Sequence, residues 1–84
     1  MIITTTFRNG SYYAVLRTPQ DQGFKALVRT QATSGEEEAC RRAVVKHFGS
    51  NFKFSLKRLT NKQTEGLPQG KNQHHDVVAF RVCI

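Results

Sequence analysis

The sequence predicts an α+β fold in which a single helix packs on one face of a small antiparallel sheet. Strand-like segments surround one helical segment in the order β-β-β-α-β-β. Asn9-Gly10 is typical of a two-residue hairpin turn, because both central residues of a type I′ turn take positive φ. The 84 residues are expected to form one domain over residues 1–84, since a chain of this length buries only a thin core.

The first two predicted strands form a hairpin around this turn. The first eight residues contain a β-branched run, which favours an extended backbone. A two-residue turn pairs Phe7 with Tyr12 and, further along, Ile3 with Leu16. The larger apolar side chains then lie on one face of the sheet.

Residues 24–30 form the third predicted strand. Regular alternation places Phe24, Ala26 and Val28 on the apolar face. The opposite face of the three strands is then expected to carry both charged and apolar side chains: Thr4, Thr6, Arg8, Tyr13, Val15, Arg17, Lys25, Leu27 and Arg29. Apolar groups such as Val15 and Leu27 among the charges indicate that this face is not plainly solvated: either something covers them or they belong to an interaction surface.

The helix is predicted between Ser34 and Gly49. Ser34 and Glu37 have the spacing of a capping box, and Gly49 is suited to end the helix. A core-facing stripe follows the helical period: Cys40, Ala43, Val44, His47 and Phe48.

Two more strands are predicted after the helix. Residues 52–57 alternate large apolar side chains with lysine or serine, and residues 77–84 form the last strand. Its expected inward side chains are Val78, Phe80, Val82 and Ile84. Residues 60–76 are polar and lack periodicity, which predicts a flexible polar loop within the domain.

The composition favours a polyanionic partner. Lys plus Arg is 13 and Asp plus Glu is 6, so the formal net charge is +7. Nucleic acid or a nucleoprotein complex is therefore expected as the partner.

No apolar run approaches the roughly 20 residues of a membrane helix, so no membrane contact is expected. Cys40 and Cys83 form no secreted disulfide framework and no leader is recognisable, which predicts a cytoplasmic protein. The oligomeric state stays open.

The candidate binding residues follow two basic stripes. Their cations suit phosphate groups, and Tyr13 suits stacking on a base. The predicted nucleic-acid-binding residues are Arg8, Tyr13, Arg17, Lys25, Arg29, Lys53, Lys57 and Arg58. The alternative for the first stripe is a solvated outer sheet face. For the second stripe a lysine-rich face that stays soluble and is protected from edge pairing is the favoured interpretation.

No recognisable catalytic set is present, and a non-enzymatic protein without metal or cofactor is expected. His74 and His75 lack further ligands at zinc-site spacing. Cys40 and His47 share the predicted core stripe, which indicates a packed pair rather than a nucleophile and its base. A small ribonuclease toxin that uses His74 or His75 is a less favoured alternative.

Part of the chain resembles the small β-β-β-α DNA-binding domain of plant ethylene-response factors and of phage and transposon integrases. The resemblance covers residues 12–43 and is carried by Tyr12-Tyr13-Ala14-Val15-Leu16-Arg17, by Glu37-Glu38-Ala39 and by Ala43. That family lays its three-stranded sheet in the major groove, so the resemblance implies DNA contact by Arg17, Lys25 and Arg29.

The chain also resembles, in size and style, the accessory proteins of phages and mobile elements, including anti-CRISPR proteins. This resemblance implies action by binding to a host complex. Two partners stay open at this point. One is nucleic acid or a nucleoprotein complex, and the other is a host defence protein, inhibited through contact with apolar groups such as Val15 and Leu27.

Overall fold

A computed structural model describes residues 1–21, 23–59 and 78–83. The elements in chain order are β1 (Ile2–Arg8), β2 (Ser11–Gln20), β3 (Gly23–Ala32), α1 (Glu36–Phe48), β4 (Ser55–Arg58) and β5 (Val78–Cys83). The strands form one five-stranded antiparallel sheet in the order β3-β2-β1-β5-β4. The helix packs mainly on β3 and β2. The predicted α+β fold and element order are confirmed, whereas the predicted 60–76 loop lies outside the described residues.

The β1–β2 hairpin has the predicted turn and register. Asn9 and Gly10 take φ values of 52° and 79°, as a type I′ turn requires. Ile3 pairs with Leu16, and the other pairs follow in the expected register. The turn therefore determines which side chains of the two strands share a face of the sheet.

The third strand contains a β-bulge at Leu27 that the sequence analysis missed. Val28 pairs with Leu16, but the next pair joins Ala26 to Arg17. Leu27 is therefore an extra residue opposite β2, and the alternation of β3 reverses at this point.

The bulge corrects the predicted faces of the first half of β3. Lys25 pairs with Thr18 and so lies on the helix side of the sheet, while Phe24 and Ala26 lie on the other side. Leu27 is half-buried and packs against the core instead of facing outward. The prediction was wrong because simple alternation assumes that each residue has one partner across the ladder.

The helix begins later than predicted. Gly35 is the N-cap residue and makes no side-chain capping bond, so the expected Ser34 capping box was wrong. Instead the Gly35 carbonyl accepts the Ala39 amide at 3.3 Å. At the other end the Gly49 amide donates to the Val45 carbonyl at 2.8 Å, which confirms the predicted C-terminal cap.

The core lies between α1 and the sheet. Its buried members are Ile3, Ala14, Leu16, Ala32, Ala39, Cys40, Ala43, Val44, Phe80 and Val82. The buried face of the helix includes the small side chains of Ala39, Cys40 and Ala43, and the Thr30 hydroxyl donates to the Ala39 carbonyl at 2.6 Å. His47 was predicted in this core but is exposed. The His47 ring lies edge-on to the Phe48 ring, with the two ring centroids 4.6 Å apart. Phe48 in turn stacks on Phe52, and these two phenylalanines occupy that end of the helix face in place of His47.

Candidate nucleic-acid interface

The open face is the side of the sheet turned away from α1. Its members follow from the strand register, because directly paired residues project to the same side of a sheet. Its principal side chains are Ile2, Thr4, Thr6, Arg8, Ser11, Tyr13, Val15, Arg17, Arg29, Gln31, Lys57, Ala79 and Arg81. The described helix does not pack on this face, although Thr4, Ser11 and Ala79 on it are buried.

Cations dominate the open face: Arg8, Arg17, Arg29, Lys57 and Arg81. Some of them lie in one row across the sheet, since Arg17 pairs with Ile2, Ile2 with Arg81, and Arg81 with Lys57. All of the cations are exposed except Arg17, which is half-buried. The row places positive charge on β2, β5 and β4, which are far apart along the chain.

The acidic side chains of the described residues lie elsewhere. Glu36, Glu37 and Glu38 form the first turn of α1 on the other side of the sheet. Asp21 lies in the turn between β2 and β3. Among the described residues the open face thus carries cations without acids, whereas the helix side carries charges of both signs, and the open face favours an anionic ligand.

Arg17 is the most constrained cation of the open face. Its Nε donates to the Thr4 hydroxyl at 3.0 Å. Partial burial and, to a lesser degree, the nearby charge of Arg29 lower its pKa, although a guanidinium stays protonated at any ordinary pH. An anion bound between the two arginines would relieve their repulsion and replace lost hydration.

Tyr13 is half-buried between charged and polar neighbours. The Arg8 guanidinium lies over its ring, 5.1 Å from the centroid. A cation–π contact at an exposed site is worth about 0.5–1 kcal/mol, so a ligand can displace the guanidinium. Nearby, Gln31 Nε2 donates to the Ser11 hydroxyl at 3.1 Å. The open face therefore combines an aromatic ring with cationic and hydrogen-bonding groups.

Three predicted binding residues lie away from the open face. Lys25 is on the helix side because of the bulge. Arg58 is also on the helix side, with Nη1 3.8 Å from Glu36 Oε1. Lys53 lines a groove beside α1. The predicted second stripe therefore does not form one surface, and only Lys57 of that stripe joins the open face.

Arg81 lies on the open face and was not among the predicted binding residues. It lies between Phe80 and Val82, both of which were expected to point inward and are buried. Alternation in this strand was thus a usable signal for an outward Arg81. Its value as a site residue depends on β5 lying beside β1, which chain order does not reveal.

Cys40 is the buried thiol of the helix. Burial, followed by the charges of Glu36 and Glu37, raises the pKa of the Cys40 thiol to about 12, so it is a poor nucleophile. No three His, Cys, Asp or Glu side chains gather as metal ligands within the described part of the chain. His74 and His75 lie outside it. In the same part of the chain, no helix is long and apolar enough to span a membrane.

No family model, no curated protein and no solved structure matches this chain. The resemblance of residues 12–43 to the integrase-type domain stays a prediction. The choice of function therefore depends on the chemistry of the open face.

Proposed function

We propose that this protein binds nucleic acid, free or within a nucleoprotein complex, through the open face and without catalysing a reaction. The observation that carries the proposal is the set of five cations on the same face as Tyr13, with no acidic side chain of the described residues among them. Phosphate groups suit such a surface because arginine can bind them through two parallel hydrogen bonds.

The distribution of charge supports nucleic acid over a mere solubility role. A surface that serves solubility usually mixes both signs of charge. Here the acids of α1 and the cations of the open face are on opposite sides of the sheet. The repulsion between Arg17 and Arg29 is a cost to the free protein that a bound polyanion removes.

Salt dependence gives the first test. If each of the five cations neutralises one phosphate, the slope of log K against log salt is about −3.5 for a single strand and about −4.5 for a duplex. We expect measured slopes between about −2 and these limits, from anisotropy of labelled DNA and RNA oligonucleotides.

A matched pair of double variants tests the face. Arg17→Gln with Arg29→Gln removes two charges from the open face, and Lys25→Gln with Lys46→Gln removes two exposed charges from elsewhere. We expect the first variant to lose about tenfold or more in affinity and the second to change by about threefold or less. Circular dichroism checks that both stay folded. Absent binding at low salt, or equal losses in the two variants, contradicts the proposal.

Inhibition of a host protein by direct contact, as in anti-CRISPR proteins, is the alternative with less support. It depends on Val15, Leu27 and Tyr13 as exposed contacts, but Leu27 packs against the core, and Val15 and Tyr13 are half-buried. Capture of a defined host protein from nuclease-treated lysate, with no loss in the Arg17→Gln, Arg29→Gln variant, would favour this alternative over nucleic acid.

A further inference from the structure

We propose, on the basis of the proposed function, that the ligand of the open face is single-stranded nucleic acid laid across the strands, and not the major groove of a duplex. The inference rests on the width of the sheet, the direction of its row of cations and the position of Tyr13.

The sheet is too wide to enter a duplex groove face-on. Five strands at about 4.8 Å spacing span about 19 Å between the outer strand axes. The major groove of B-DNA is about 12 Å wide and admits a helix or a two-stranded ribbon. The β1–β3 unit cannot enter alone, since β5 and β4 continue the same sheet beyond β1.

The cation row runs across the strands. Arg17, Arg81 and Lys57 occupy one row on β2, β5 and β4, and its ends are about 14 Å apart, or three strand spacings. A phosphate backbone that follows this row crosses the sheet from β2 to β4. We assign this backbone to a single strand, because the bases of a single strand are unpaired and can turn toward the protein.

The rest of the open face offers contacts for bases. On β2, Val15 and Tyr13 lie two and four residues before Arg17, on the same face of the sheet. Tyr13 lies beside Arg8 of β1. An unpaired base can stack on the planar Arg8 guanidinium or replace it against the Tyr13 ring. A duplex keeps its base faces stacked inside, so it cannot use Tyr13 in this way.

The first experiment compares three probes at equal salt. They are oligo(dT) and oligo(U) of about 16 nucleotides and a blunt duplex of the same length. We expect at least one of the two single strands to bind about tenfold or more tightly than the duplex. The single strand that binds more tightly shows whether the ligand is DNA or RNA. Equal or tighter duplex binding overturns this inference but leaves the proposed function intact. No binding of any probe refutes the proposed function itself.

The second experiment uses tyrosine fluorescence. The chain contains two tyrosines and no tryptophan, so Tyr12→Phe leaves Tyr13 as the one reporter. We expect single strands to quench its emission and a duplex to leave it unchanged. Tyr13→Leu is expected to weaken single-strand binding about fivefold or more without changing duplex binding, while Tyr13→Phe keeps the ring and the affinity. Unchanged single-strand affinity in Tyr13→Leu contradicts the inference.

Discussion

Arg17 Nε donates a hydrogen bond to the Thr4 hydroxyl at 3.0 Å, across the β1–β2 pair. The residues are diagonal neighbours, since Thr4 pairs with Val15 and Arg17 pairs with Ile2. Within the described residues the two terminal nitrogens of Arg17 make no hydrogen bond, so they can bind a ligand. It therefore orients the one cation of the open face that is half-buried.

Thr4→Val tests this orientation, because valine has the shape of threonine and lacks the hydroxyl. We expect affinity for an oligonucleotide to fall about two- to fivefold, since Arg17 loses the partner that fixes it. Stability should change by less than about 1 kcal/mol, because water can still reach the guanidinium. Anisotropy titration and urea unfolding measure the two effects. Thr6→Val, at an exposed position of the same strand, is the control, and equal affinity losses would refute the orienting role.

Arg81→Gln tests the residue that lies opposite Ile2 in the cation row. We expect the magnitude of the salt slope to fall by about 0.7–0.9, which is the contribution of one phosphate contact. Arg41→Gln, an exposed position on α1, removes the same charge from the other side of the molecule. Anisotropy over a range of salt concentrations gives both slopes. A larger change for Arg41→Gln would place the ligand on the helix side.

Leu27→Thr tests the bulge. If Leu27 packs against the core, we expect the free energy of unfolding to fall by about 1–2 kcal/mol. Val15→Thr, on the open face, should change it by about 0.5 kcal/mol or less. Urea unfolding of both variants measures the two changes in unfolding free energy and so distinguishes a bulged β3 from a regular one. Were β3 to alternate without a bulge, both side chains would share the outer face and the two variants would behave alike.

Cys40 predicts a loss of stability at high pH. Its pKa rises from 9.0 to about 12 on folding, chiefly because the thiol is buried. Between these values the unfolded chain has released the proton that the folded chain keeps, so stability falls as pH rises. The contribution is about 1.4 kcal/mol per pH unit.

Unfolding measurements at about pH 8 to 10.5, with Cys40→Ala as the reference, isolate this contribution. The difference in unfolding free energy between the wild type and the variant should shrink above about pH 9. A constant difference over the whole range would show that the thiol ionises equally well in both states.

Local signals explain the parts of the fold that sequence reasoning predicted correctly. Asn9-Gly10 can form a tight turn with both residues at positive φ, and that turn determines the register of β1 and β2. Alternation in the last strand correctly predicted that Phe80 and Val82 are buried. Such features depend on a few neighbouring residues, so they can be predicted without the rest of the fold.

Two predictions, the start of the helix and the alternation of β3, were wrong because contacts between residues distant in sequence determine the local structure there. Nothing around Ser34 excludes a capping box, yet the helix begins at Glu36 with Gly35 as its cap. Leu27 has no local mark of a bulge, since its extra position exists only relative to Leu16 on β2. These choices depend on how α1 and β2 pack against β3.

The sequence by itself determined the α+β class, the first hairpin and a strongly basic surface charge, because these follow from turn chemistry, periodicity and composition. Tertiary structure decided which cations share a face. The bulge moves Lys25 to the helix side, and the insertion of β5 between β1 and β4 brings Arg81 and Lys57 into line with Arg17. The physical reason is that a binding surface depends on the pairing of strands distant in sequence, and no local pattern encodes that pairing.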